Sequence, residues 1–176
     1  MFSLVPLLAP HVFEHCSFSD GVGGSQLVTQ IKAAQTSALI ARTSQQQTSW
    51  VTDDAGFMEM ACPSGQTWGS VFISYGGNPI NPPRPCLDVS SFSTLSVDLR
   101  GALGGEVVSI GIKDNTDPDD GTETKVAVNV TTDWVTHTFL LSEFTTADPK
   151  RLCIAIEFVF GTTAETVDFR NIKLTR

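Results

Sequence analysis

The chain has 176 residues, 41% apolar and 17% charged, with a formal net charge of -8. That length suits one domain, since a domain of about 150 residues buries roughly 70% of the surface its unfolded chain exposes, and the apolar content excludes intrinsic disorder. The basic residues form no cluster, so neither a nucleic-acid backbone nor an anionic membrane is an expected partner.

The first twelve residues read as a lead-in segment or the stump of a signal peptide. MFSLVPLLAPHVFE has a short apolar run but no positive leading region, and the run is too short to span a bilayer. VTQIKAAQTSAL is a candidate short helix. From there on period-2 alternation dominates, and no window longer than about ten residues keeps a helical period. The predicted strands are SALIARTS (37–44), FMEMAC (57–62), SVFISYG (70–76), TLSVDLRG (94–101) and VVSIGIKD (107–114). They continue with TKVAVNVT (124–131), WVTHTFLL (134–141), LCIAIEFVF (152–160) and ETVDFRNIKL (165–174). Breakers such as GGNPINPPRP, GALGG, DNTDPDDGTE and FGTTAE separate them. Such spacing predicts an all-β chain: a single two-sheet antiparallel sandwich of jelly-roll type.

Because successive side chains of a strand point to opposite sides, phase separates core from surface. Leu95, Val97 and Leu99 are expected inside, with Ser96, Asp98 and Arg100 outside. Val108, Ile110 and Ile112 are expected inside, as are Ile154, Ile156 and Phe158, leaving Ala155, Glu157 and Val159 outside. The four cysteines, Cys16, Cys62, Cys86 and Cys153, lack the close spacing of zinc or dithiol sites. Cys153 reads as a small buried hydrophobe, and Cys62 with Cys86, both in Pro-bearing loops, as the expected disulfide.

LSVDLRG, VSIGIKD, WVTHTFLLSEF and VDFRNIKL follow one another in an order that resembles the jelly-roll carbohydrate-binding modules of the galactose-binding-like superfamily. VFE (12–14), DGVGGSQ (20–26), WGSVFIS (68–74) and LDVSSFSTL (87–95) extend the likeness over nearly the whole chain. The resemblance implies that Trp134 is a wall residue rather than a stacking platform. It implies a structural calcium held by Glu14 and by the residue before Asn-Ile, but that residue is Arg170. A Glu14–Arg170 ion pair then stands in for the ion, unless Asp168 reaches round to coordinate, and no cofactor is required. DNTDPDDGTE lacks the register of an EF-hand and reads as a solvated turn.

Sugar recognition needs aromatic faces and planar polar side chains. Trp50, in the polar stretch QQQTSWVTDD, and Tyr75, before Gly76 and Gly77, are the expected exposed aromatics. Asp98, Arg100 and Glu157, on the outer phase, are the expected polar contacts, with His137 a further ligand-binding candidate. His137 shares its phase with Val135, Phe139 and Leu141, so it is either a hydrogen-bonded core histidine or a polar group lining a cavity.

Nucleophile-elbow, metalloprotease, phosphate-loop and dinucleotide motifs are all missing. The leading expectation is non-catalytic glycan binding, to a polysaccharide or small-molecule ligand, by a monomer or homodimer. The same modules resemble small hapalindole-type cyclases. For a cyclase, His137 and Asp98 are the candidate acid catalysts on an apolar substrate. A third resemblance, to complex I intermediate-associated factors, implies protein binding. Secretion fits a glycan-degrading system, a cytoplasmic location a biosynthetic enzyme.

Overall fold

The computed structural model describes residues 37–54, 56–75 and 85–176. Glu14, Cys16 and most of the candidate helix lie outside the described residues, and the end of that candidate, Ser37 to Leu39, belongs to a strand. Ten strands follow in chain order: β1 Ser37–Thr43, β2 Val51–Asp54, β3 Phe57–Ala61, β4 Gly69–Tyr75, β5 Thr94–Gly101, β6 Val107–Asp114, β7 Lys125–Asn129, β8 Val135–Leu140, β9 Leu152–Phe160 and β10 Thr166–Thr175. They form two five-stranded antiparallel sheets, ordered β1-β4-β9-β6-β7 and β2-β3-β10-β5-β8. Every predicted strand is present, and β2 is added to them. Two antiparallel sheets stacked over one core make the expected sandwich.

The core is built by alternation. In β5, Leu95, Val97 and Leu99 are fully buried while Ser96, Asp98 and Arg100 face outward, half-buried. The sheets meet through facing aromatics: Phe158 of β9 stacks on Phe169 of β10 with ring centroids 4.6 Å apart. Aromatic contact of this kind adds to burial and keeps the two layers in register.

Two irregularities redirect side chains. In β9 the pairing with β4 jumps from Ile156↔Ile73 to Ile154↔Ser74, so Ala155 is the extra residue of a bulge. Ala155 and Ile156 both join the core, whereas Ile154 lines the outer face, the reverse of simple alternation. In β10 the register with β5 shifts between Arg170 and Lys173, where Asn171 has φ 53°. Asn tolerates that left-handed backbone, and both Arg170 and Asn171 reach Asp98 as a result.

The disulfide differs from expectation. Cys86 bonds Cys153, and Cys62 is a buried free thiol. An isolated antiparallel bridge, Leu87↔Leu152, lays the segment before β5 along the start of β9 and sets Cys86 across from Cys153. Cys62 is instead enclosed near Trp50 and Gly69.

Candidate functional site

The outer face of the β2-β3-β10-β5-β8 sheet carries Asp98 and Arg100, and its polar groups are spent on one another. The Arg100 Nε donates to Asp168 Oδ2 at 3.0 Å. Asp98 accepts from the Thr136 hydroxyl at 2.6 Å and the Asn171 amide at 2.7 Å, and pairs with Arg170 at 3.4 Å. Burial works against the charge of Asp98, but these donors outweigh it and hold the carboxyl below its ordinary value. The guanidinium groups of Arg100 and Arg170 lie 4.7 and 4.1 Å from the Trp134 ring centroid, and Phe57 meets the same ring edge-on. Trp134 is therefore packed against two cations.

No three His, Cys, Asp or Glu side chains among the described residues converge to hold a metal, and the expected ligand Asp168 faces the Arg100 guanidinium. Arg170 pairs with Asp98. Whether Glu14 approaches Arg170 lies outside the described residues.

Two expected site residues are corrected, and a third belongs to another face. Trp50 and Tyr75 are 6% and 5% exposed, members of the core rather than a rim. Trp50 packs edge-on against Phe160 at 5.7 Å, so the irregular polar segment before it turns the indole into the core, and the short edge strand β2 begins at the next residue. Glu157 lies on the other sheet from Asp98 and Arg100, so the three do not form one platform.

His137 and Asp98 do not converge. His137 sits across from Val97, and Thr136 across from Asp98, so the imidazole shares the core side of the sheet while the carboxylate is on the outer side. His137 is half-buried on the edge strand β8, its Nε2 is buried with no hydrogen-bond partner among the described residues, and desolvation lowers its pKa. The folded chain thus resists a proton that the unfolded chain accepts, and stability is lost as pH falls through the ordinary imidazole value of about 6.5. Thermal melts at about pH 7 and about pH 5 should show His137→Leu losing less on acidification than wild type. Equal losses would reject this assignment.

The outer face of the β1-β4-β9-β6-β7 sheet is different, because it carries a groove of about 450 Å³. Its lining draws on all five strands, from Arg42 on β1 to Lys125 on β7. Four interstrand steps of about 4.8 Å make such a crossing about 19 Å long. At the β1 end stands Trp68, 42% exposed, beside Phe72. Ile154 and Val159 continue an apolar floor, and the loop between β6 and β7 supplies Asp119 and Asp120 at the far end. That loop is more than a solvated turn: Asp117 and Asp119 lie 3.5 and 3.6 Å from Lys113 Nζ.

Under the floor the same ammonium also meets Glu123 at 3.4 Å and Glu157 at 3.6 Å. Burial opposes the charge on Lys113, but the surrounding carboxylates raise its pKa. Glu157 accepts the Ser70 hydroxyl at 2.7 Å. Gly111, its partner across β6 and β9, lets the Lys125 stem pass close: an added Cβ would lie 3.3 Å from Lys125 Cγ.

Neither a protein-family model nor a curated protein matches the chain. Solved structures do. The Family 30 carbohydrate-binding module of a cellulosomal cellulase of Clostridium thermocellum superposes with a TM-score of 0.54 at 18% identity, over 76% of this chain and 88% of that one. A second Family 30 carbohydrate-binding module gives 0.55 at 19% identity, over 76% and 89%. The Family 11 module from Clostridium thermocellum, in complex with a β-1,3-1,4-mixed-linked tetrasaccharide, gives 0.54 at 14% identity, over 80% and 84%. At such identities the likeness shows the fold. This chain has the jelly-roll sandwich of the carbohydrate-binding modules.

Proposed function

We propose that the protein is a non-catalytic glycan-binding module whose ligand lies in the groove across β1-β4-β9-β6-β7. The observation that carries this reading is the exposed Trp68 at one end of a groove with an apolar floor and charged, hydrogen-bonding walls. A pyranose ring has one apolar face for an indole and equatorial hydroxyls for Arg42, Lys125 and Asp120. A groove crossing five strands fits an extended oligosaccharide better than a single sugar. The fold shared with modules from polysaccharide-degrading systems supports the same ligand class.

The reading uses no metal, so binding is expected to survive dialysis against a chelator. Electrophoresis through gels containing mixed-linked β-glucan, xylan or galactan, run in chelator, tests it. Retardation by at least one polysaccharide is the expected result. Unaltered migration across the panel rejects the proposal.

A further inference from the structure

At the groove floor two carboxylates sit side by side with too few donors. The Glu157 and Glu123 side chains are 7% and 2% exposed. Glu157 Oε1 takes the Ser70 hydroxyl, and Glu123 Oε1 takes the Lys125 ammonium at 2.7 Å. The remaining oxygen of each, Oε2, is buried with no hydrogen-bond partner among the described residues, and Glu157 Oε2 has only the Lys113 ammonium, 3.6 Å away and beyond hydrogen-bond distance. Both therefore lack the hydrogen bond that a buried acceptor needs. Both carboxyls gather on the one Lys113 ammonium, at 3.4 and 3.6 Å, so a proton held between them supplies the donor that the pair lacks.

Local charge favours that proton. Glu157 on β9 meets Lys113 of β6 and Ser70 of β4, and shares the groove with Arg42 of β1, Lys125 of β7 and the carboxylates Asp119, Asp120 and Glu123 of the loop between β6 and β7, whose Asp117 pairs with the same Lys113. Lys113 is shared among four carboxylates, so it neutralises none of them fully. Glu123 has a second ammonium at close range and Glu157 does not, so the proton belongs on Glu157.

We propose that Glu157 and Glu123 hold one proton between them beneath the groove, and that this proton gates the ligand: the occupant is held while the proton is present and released when it leaves to solvent. The gating half rests on the glycan-binding reading, whereas the shared proton does not. Once ionised, Glu157 is a buried anion beside another, and its way to water is the groove itself, where its carboxylate competes with a sugar. Burial raises the pKa of Glu157, with Glu123 adding to the effect against Lys113 and Ser70. Burial also opposes ionisation of Glu123, but the Lys125 hydrogen bond, a bond from its own backbone and the nearby ammonium charges win and lower it to about 2. Two carboxyls pushed apart in this way are what a shared proton produces.

Carbon-13 titration of the glutamate side-chain carboxyls in the ligand-free protein tests the proton, with the Glu157 signal assigned by its loss in Glu157→Gln. Its midpoint should lie above the ordinary value of about 4.3 and fall toward it in Glu123→Gln. A midpoint at or below the ordinary value, or one unmoved by Glu123→Gln, overturns the shared proton. Affinity for mixed-linked β-glucan tests the gate: wild type should bind about tenfold more weakly at about two pH units above the measured Glu157 midpoint than at about one unit below it. Glu157→Gln, which keeps a permanent donor at that position, should bind equally at both. Equal wild-type affinity at the two pH values, or a pH dependence that survives in Glu157→Gln, overturns the gate. Absence of binding at every pH removes the glycan reading and the gate together, and the carboxyl titration still decides the shared proton.

Discussion

Trp68→Ala should weaken binding of mixed-linked β-glucan about thirtyfold, the effect of about 2 kcal/mol at an aromatic hot spot, and leave the melting temperature nearly unchanged. The indole is 42% exposed and is not part of the core cluster, so its removal opens no cavity. What is lost is the flat apolar surface at the β1 end of the groove. Trp134→Ala is the matched control. Trp134 lies with Arg100 and Arg170 on the opposite sheet, so its loss should lower stability and keep affinity within about twofold. Isothermal titration of both variants separates the two faces of the sandwich: unchanged affinity in Trp68→Ala, or loss in Trp134→Ala, moves the ligand away from the groove.

Replacing Cys86 and Cys153 together by Ser should destabilise the fold by about 4 kcal/mol, the chain-entropy value for a loop of this length. The bond closes a 67-residue separation, from the segment before β5 to the start of β9, and so constrains β5 through β8 in the unfolded chain. Against a typical total of about 5 to 15 kcal/mol, the loss is large enough to read from urea unfolding midpoints. A shift smaller than about 1 kcal/mol would show that the reduced chain already keeps these segments together. Because β9 forms the middle of the groove, affinity per folded molecule should hold while the folded fraction drops.

The strands were legible because alternation survives in nearly all of them, and the phase of β5 separated Val97 from Asp98 correctly. β2 was hidden because Val51 is the one apolar residue of VTDD, and its edge position leaves the other three exposed. The outer phase of β4 carried a readable signal that loop composition obscured. Val71, Ile73 and Tyr75 share one side and Trp68, Ser70 and Phe72 the other, so counting in steps of two buries the tyrosine and exposes the tryptophan. Tyr75 was instead judged by its glycine neighbours, and Trp50 by its glutamines. The disulfide was not legible, because the bridge between Leu87 and Leu152 is a tertiary event and Cys153 sits in an apolar run. The crowding of four carboxylates on Lys113 depends on how the loop between β6 and β7 folds back, which no local spacing encodes.

The extra residue in β9 acts as a phase shifter for the whole groove. Upstream of it the strand throws aliphatic Ile154 to the outer side, and downstream it presents Glu157 and then Val159, so one strand paves the trough with grease, acid and grease in turn. Pairing β9 regularly with Ala155 retained would put Ile154 in phase with Ile156 and turn it toward the interior. The trough would then lose its central paving while every neighbouring strand stayed in place.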